Sequence, residues 1–172
     1  MIVSLPRTFR HAPLLGLLLL AGPALAQTDA PLQCPSLKTA QRVGDCPSEA
    51  ELKFTFTGYC SDNARIYGKD STCTDYQAYR RLKNVALWES ADGAFQGYVS
   101  CALDETKLRA ALPRNVAITR QGKLTRVLCT YDEGVALALR TRDQCTLAGG
   151  ASEGRCDGAA DNCKVSCAAP TE

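Results

Sequence analysis

The sequence has 172 residues, with 20 basic and 18 acidic side chains, ten cysteines, one histidine and one methionine. Both His11 and Met1 lie in a leader-like N-terminus, so removal of that leader would leave 18 basic against 18 acidic residues and no histidine. A neutral balance argues against general nucleic-acid binding, which depends on the neutralisation of phosphates. The remaining stretch of about 146 residues has the length of one ordinary domain.

Residues 1–26 predict a secretory signal peptide. Arg7 and Arg10 precede an apolar run, "PLLGLLLLAGPALA", which ends at Ala26. This run is interrupted by glycine and proline and is shorter than the ~20 apolar residues that a membrane span needs. We therefore expect cleavage after Ala26 and an exported protein, periplasmic or secreted, that does not span the membrane.

All ten cysteines follow the predicted leader. They are Cys34, Cys46, Cys60, Cys73, Cys101, Cys129, Cys145, Cys156, Cys163 and Cys167. An even number in an exported chain predicts a disulfide framework, here of five bridges. We expect Cys60 to pair with Cys73 and Cys101 with Cys129, and the last three cysteines to pair among themselves and with Cys145.

The cysteine spacing argues against metal and redox chemistry. No C-x-x-C motif is present, and the chain without its leader has no histidine, so neither a zinc site nor a thioredoxin-like centre is expected. Oxygen ligands at Asp157, Asp161 and Asn162 are not arranged as a calcium-binding loop. No metal and no cofactor is predicted.

Apolar periodicity predicts several strands. A period-2 alternation occurs in "ELKFTFTGYC", where Leu52, Phe54 and Phe56 would face a core. A β-hairpin around residues 91–93 is predicted in "LWESADGAFQGYVSCAL", with Phe95 and Val99 on one face. A further meander is predicted in "NVAITRQGKLTRVLCTYDEGVALALRTR", with turns at residues 121–122 and 132–134.

Two short helices interrupt these strands. One is predicted in "TDYQAYRRLKNV", which opens with the capping-box pair Thr74 and Gln77, and the other in "DETKLRAALP". The predicted fold class is α+β, a mainly antiparallel β meander with two short helices and disulfide staples. We expect a β-rich domain over residues 27–145 and a cysteine-rich C-terminal loop and tail over residues 146–172.

Catalysis is not predicted, because histidine supports most general-base and nucleophile-activating arrangements at neutral pH. A carboxylate pair of the kind used in glycoside hydrolysis is the remaining alternative. The candidates are Glu89, Asp92, Asp104, Glu105, Asp132 and Glu133. Most of them occupy predicted turns or the start of a helix, where acidic residues commonly have a structural role.

Charge is distributed unevenly along the chain. Residues 106–131 carry six cations and no acid, and the segment from residue 132 onwards carries seven acids and four cations. Arg120, Lys123 and Arg126 lie on the predicted hairpin, and Arg140 and Arg142 would extend the patch. Such a patch is suited to an acidic protein, a polyanionic envelope glycan or a lipid headgroup, and a solvated sheet face is its simpler interpretation.

A second candidate surface is aromatic. Arg65 and Tyr67 lie in the segment that a Cys60–Cys73 bridge would close, and a preorganised loop loses less entropy on binding. Trp88 is interpreted as a core residue.

Cys34-Pro35, together with the segment "LTRVLCTYDEGVALALRTRDQC", resembles small exported bacterial domains of unknown function that carry a Cys-Pro start and a late Cys-x-Tyr strand. The resemblance implies an envelope or secreted location and assigns no activity. We predict an exported, disulfide-rich binding protein, either an inhibitor or an immunity protein that acts on another envelope or secreted protein. The alternatives are a glycan- or envelope-binding structural module and an Asp/Glu glycosidase.

Overall fold

The computed structural model describes residues 31–68, 71–148, 153–157 and 163–170, so the predicted leader lies outside the described residues. Helices and antiparallel strands together form an α+β fold. The α-helices in this part of the chain are α1 (Glu49–Tyr59), α2 (Asn63–Tyr67), α3 (Ser71–Thr74), α4 (Tyr76–Lys83) and α5 (Glu105–Ala110). The strands are β1 (Gln41–Arg42), β2 (Val85–Glu89), β3 (Gln96–Ser100), β4 (Pro113–Gln121), β5 (Leu124–Tyr131), β6 (Ala136–Thr141), β7 (Gln144–Leu147), β8 (Gly154–Asp157) and β9 (Val165–Ala168).

Seven strands form one antiparallel sheet in the order β1-β2-β3-β6-β5-β4-β8, and β7 pairs with β9 in a separate two-stranded sheet. The predicted hairpin and meander are present, since β2 and β3 form the hairpin and β4, β5 and β6 form the meander, but the β4–β5 turn lies at Gly122 and Lys123, one residue later than predicted. Gly122 and Gly134 have positive φ, and so does Glu133 at 58°. These positions reverse the chain within two or three residues.

The two faces of the large sheet differ. One face, called the inner face below, is covered and supplies most of the core, which includes Val99, Val116, Val127 and Leu137. A 3₁₀ turn over Leu37–Thr39, helix α5 and the two-stranded sheet lie against it. Side chains of alternate residues point to the opposite face, called the outer face.

Helix α1 corrects a prediction: residues 51–60 were expected to form a strand, and they form most of this helix. Ser48 accepts a hydrogen bond from the Glu51 backbone N–H, and the Glu51 carboxylate accepts one from the Ser48 N–H at 2.7 Å. This reciprocal pair satisfies two backbone donors at the helix start and favours helix over strand. In the helix Leu52 is buried, whereas Phe54 is 81% exposed.

Both predicted helices are present as α4 and α5, but the described chain has five α-helices and not two. The cap of α4 is Asp75, one residue later than the predicted Thr74, because the Asp75 side chain accepts from the Gln77 backbone N–H. Helix α5 is capped by Asp104, which accepts from two backbone N–H groups. We call residues 49–83, which hold α1 to α4 and lie between β1 and β2, the helical lobe.

All ten cysteines form disulfides, five in number as predicted. The Cys60–Cys73 bridge is confirmed, and so is the pairing of the last three cysteines among themselves and with Cys145, as Cys145–Cys167 and Cys156–Cys163. The predicted Cys101–Cys129 bridge is wrong. Cys129 on the inner face of β5 bonds to Cys34, and Cys101 after β3 bonds to Cys46.

The C-terminal region, predicted as a loop appended to the sheet, contributes strands in the parts that are described. β8 pairs with β4 at the edge of the large sheet. β9 pairs with β7, which spans residue 145. Cys163 and Val165 are buried in the core, so covalent bridges and apolar contacts both hold this region in place.

Candidate functional site

The predicted basic patch lies at the β4–β5 turn, and the sheet divides it between two faces. Arg120 lies opposite Thr125 in the strand register, whereas Arg126 lies opposite Thr119. Thr125 is buried on the inner face. Neighbours along a strand point to opposite faces, so Arg126 is on the outer face and Arg120 is on the inner one.

A pocket of about 520 Å³ lies at the end of the inner face, and we call it the inner pocket. Its cations are Arg120, Lys123 and Arg142. The other lining residues are Gly122, Thr125, Gln144 and Pro170. The carboxylate of Glu153 accepts a hydrogen bond from the Arg120 backbone N–H at 3.0 Å, and no ion pair links it to the Arg120 guanidinium.

A second depression, of about 430 Å³, lies on the outer face, and we call it the outer groove. Arg126 and Arg140 lie directly opposite each other on β5 and β6 at one end of it. Tyr98 on β3 is 72% exposed and forms another part of the lining. The remaining lining residues are Leu87, Gln96, Gly97, Leu128, Ala136 and Ala138.

Ion pairs distinguish these five cations from five arginines elsewhere in the described part of the chain. Five arginines elsewhere pair with carboxylates, as Arg80–Glu49, Arg81–Asp75, Arg109–Glu105, Arg114–Asp132 and Arg155–Asp157. Arg120, Lys123, Arg126, Arg140 and Arg142, which we call the basic end, have no ion pair with any carboxylate in the described part of the chain. Two of the six cations in residues 106–131, Arg109 and Arg114, are therefore already neutralised within the fold.

The other predicted binding residues lie in the helical lobe, away from the basic end. The Arg65 guanidinium lies over the Tyr59 ring, 3.7 Å from its centroid, and donates to the Tyr59 carbonyl oxygen at 2.9 Å. This cation–π contact leaves Arg65 half-buried and engaged in the fold. Tyr67 is 80% exposed.

A contact between α1 and α4 sets the geometry of the helical lobe. Glu49 accepts hydrogen bonds from the Tyr76 hydroxyl at 2.7 Å and from Arg80 Nε at 3.0 Å. These hydrogen bonds hold the pKa of the Glu49 carboxyl below its usual value. The contact joins α1 to α4 at the first residue of α1, whereas the Cys60–Cys73 bridge holds the opposite end of α1.

A pH-dependent stability is expected from this contact. Because the folded-state pKa of Glu49 is lowered, its stabilisation is present above the ordinary carboxyl pKa and is lost as the pH falls through the lowered value. Glu49→Gln should therefore lower the melting temperature near pH ~7 and have little effect near pH ~2.5. Circular dichroism melts at both pH values measure this, and an equal difference at both would contradict it.

Five of the six acidic residues considered for catalysis have structural partners, and the sixth, Glu133, has positive φ in the turn between β5 and β6. Asp104 caps α5, Glu105 pairs with Arg109, and Glu89 accepts a hydrogen bond from Gln96. Asp92 accepts from the Ser90 hydroxyl and the Ala94 N–H in the β2–β3 turn, and Asp132 accepts from Arg114 and the Leu112 N–H. The pKa of the Asp132 carboxyl is lowered, and the hydrogen bond from Arg114 is the largest cause. Neither Asp92 nor Asp132 has the raised pKa of a general acid.

Metal ligation and membrane insertion find no support in the described residues. No group of three or more His, Cys, Asp or Glu side chains in this part of the chain is placed to hold a metal ion. Asp161 and Asn162, whose oxygens were considered and not predicted to bind calcium, lie outside the described residues. None of the helices that are described is long and apolar enough to cross a bilayer.

Comparison of the chain with protein-family models, with curated proteins and with solved structures finds no match. The Cys34-Pro35 pair and strand β5 meet in the core. Cys34 is bonded to Cys129, and the Tyr131 hydroxyl donates to the Pro35 carbonyl oxygen at 2.7 Å. Tyr131 is buried, and burial raises the pKa of its hydroxyl.

Sequence reasoning found the cations of the basic end and missed their division between faces. Recognition of Gly122 and Lys123 as a two-residue turn would have placed Gln121 opposite Leu124 and Thr119 opposite Arg126. The outer groove was missed because it needs β3 beside β6, a neighbour that is distant in sequence.

Proposed function

We propose that this protein is a binding protein of an oxidising compartment that captures another, acidic protein through the basic end. The observation that carries the proposal is the clustering of five cations at one end of the sheet, none of which has an ion pair with a carboxylate of the described residues. Unpaired cations of one sign, close together on two faces of one sheet end, attract an acidic surface and raise the association rate.

The scaffold supports a binding role. Five disulfides fit a protein of an oxidising compartment, and a cross-linked sheet presents its side chains with little further loss of conformational entropy on binding. Cys34–Cys129 ties β5 of the meander to the segment before β1, and Cys145–Cys167 links the two strands of the small sheet beside the inner pocket. Together with the predicted leader, this favours a periplasmic or secreted inhibitor or immunity protein.

Charge reversal tests the proposal. The protein without its predicted leader, carrying an affinity tag, is used to capture partners from the oxidising compartment of its source cells, with cross-linking and mass spectrometry. The captured protein is then purified and titrated by calorimetry. We expect one-to-one binding that weakens as salt rises, and loss of that binding in Arg120→Glu/Lys123→Glu/Arg126→Glu.

A matched control carries the same change in net charge elsewhere. Lys38→Glu/Lys53→Glu/Lys164→Glu replaces three exposed lysines outside the basic end, and this variant should bind as the wild type does. Equal binding by both triple variants would refute the proposal. Retention only on purified cell-wall glycan, without a protein partner, would favour the envelope-binding module instead.

A further inference from the structure

The two arginines of the outer groove occupy an electrostatically unfavourable arrangement. Arg126 and Arg140 are cross-strand partners, and such partners have Cβ atoms about 4.5–5.5 Å apart. Like charges placed directly opposite each other destabilise a sheet. On the same face, Arg155 is paired with Asp157, whereas no carboxylate of the described chain pairs with Arg126 or Arg140. An added carboxylate between the two guanidinium groups would remove this repulsion.

Apart from Gln96 and the Tyr98 hydroxyl, the other side chains that line the groove are apolar. The short side chains of Ala136 and Ala138 leave room for the depression of about 430 Å³, which Leu87 and Leu128 also line. Tyr98, paired with Leu87 across β2 and β3, exposes most of its ring next to this space. Tyrosine with arginine is the combination that protein-binding hot spots favour.

We propose that the outer groove binds an acidic segment of a partner protein in extended form. One carboxylate of the segment lies between Arg126 and Arg140, where guanidinium groups bind carboxylates by paired, charge-assisted hydrogen bonds. The apolar side chain two residues away, which an extended chain places on the same side, packs against Tyr98 and Leu128. This inference rests on the proposed function and adds the chemistry by which the partner is recognised.

Two features favour a protein segment over a polyanion. Among the described residues, the cations that line the groove are Arg126 and Arg140. A glycan or nucleic-acid backbone has regularly spaced charges and requires a longer row of cations. The floor between β2 and β5 is built from leucine and alanine side chains, which suit an apolar residue.

A pair of synthetic peptides tests the groove directly. The probes are acetyl-Glu-Ser-Phe-Ser-Glu-amide and the same peptide with glutamine for both glutamates, titrated into the ¹⁵N-labelled protein. We expect the glutamate peptide to shift the amide resonances of the groove residues and the glutamine peptide to bind about tenfold more weakly. Equal binding of the two peptides, or shifts confined to another surface, would overturn the proposal.

Variants on the same face supply the controls. Arg126→Gln/Arg140→Gln should weaken binding of the glutamate peptide by about tenfold without a lower melting temperature, because the substitution relieves the like-charge pair. Tyr98→Ser should also weaken it. Arg155→Gln, on the same face but within its own ion pair, should bind as the wild type does. If dextran sulfate competed equally well in the wild type and in Tyr98→Ser, the groove would be a general polyanion site and the proposal would fail.

The captured partner separates this proposal from the proposed function. If Arg120→Glu/Lys123→Glu/Arg126→Glu loses the partner but Arg126→Gln/Arg140→Gln keeps wild-type affinity for it, the groove proposal is refuted and the binding function stands. If the glutamate peptide binds in the groove but no protein is captured, the groove proposal is supported and the proposed function fails.

Discussion

Replacement of Cys34 and Cys129 by alanine is expected to lower the free energy of unfolding by about 5 kcal/mol. The bridge joins residues 95 apart in sequence, so its loss restores a large conformational freedom to the unfolded chain. Cys129 is also buried among the core residues of β5, and its truncation leaves a void there. Guanidinium denaturation of the oxidised variant, compared with the wild type, measures the difference.

Cys60→Ala/Cys73→Ala is the matched control, because this bridge spans 13 residues within the helical lobe. The same relation gives a loss of about 3 kcal/mol for the shorter loop. An equal or larger loss in the control would mean that the long bridge is not the main covalent constraint on the sheet.

Phe95→Ala is expected to lower the free energy of unfolding by about 3–5 kcal/mol. Phe95 is 2% exposed, and its backbone N–H and carbonyl both bond to Ser90 across the β2–β3 turn. Loss of the ring therefore leaves a cavity at a point where the backbone cannot easily collapse. Denaturant unfolding followed by circular dichroism measures the loss.

The same substitution at Phe54 tests whether this segment is the helix α1 or the strand that was predicted from the sequence. Phe54 is exposed on α1, so Phe54→Ala should change the free energy of unfolding by less than about 0.5 kcal/mol. A loss at Phe54 as large as that at Phe95 would show that Phe54 packs in a core, as the alternating pattern predicted.

The misprediction at α1 has a local cause. Leu52, Phe54 and Phe56 alternate with polar residues over six positions, and such a short run does not distinguish a strand from a helix with one exposed aromatic. The better signal lay just upstream, since Ser48 and Glu51 have the spacing of a capping box. The hairpin and meander were predictable because their turns carry residues suited to positive φ, such as Gly122.

The disulfides that were predicted correctly join cysteines close in sequence, and the ones that were missed join cysteines far apart. Cys60 and Cys73, and the cysteines of the tail, pair over short separations that the sequence makes visible. Cys101 follows β3 and Cys129 lies in β5. The two cysteines are kept apart because β6 lies between β3 and β5 in the sheet. That order is set by packing of the inner face, and the long bridges and the outer groove depend on it.

The backbone of Leu32 exchanges two hydrogen bonds with Val165, donating to it at 2.7 Å and accepting from it at 3.2 Å. Val165 belongs to β9, the last strand, and is itself part of the core. A chain that emerges N-terminus first can therefore form its helical lobe and meander early, but the backbone of Leu32 has its strand partner only when β9 has been made. Completion of the native contacts at Leu32 is for this reason a late event, which requires synthesis of the chain as far as β9.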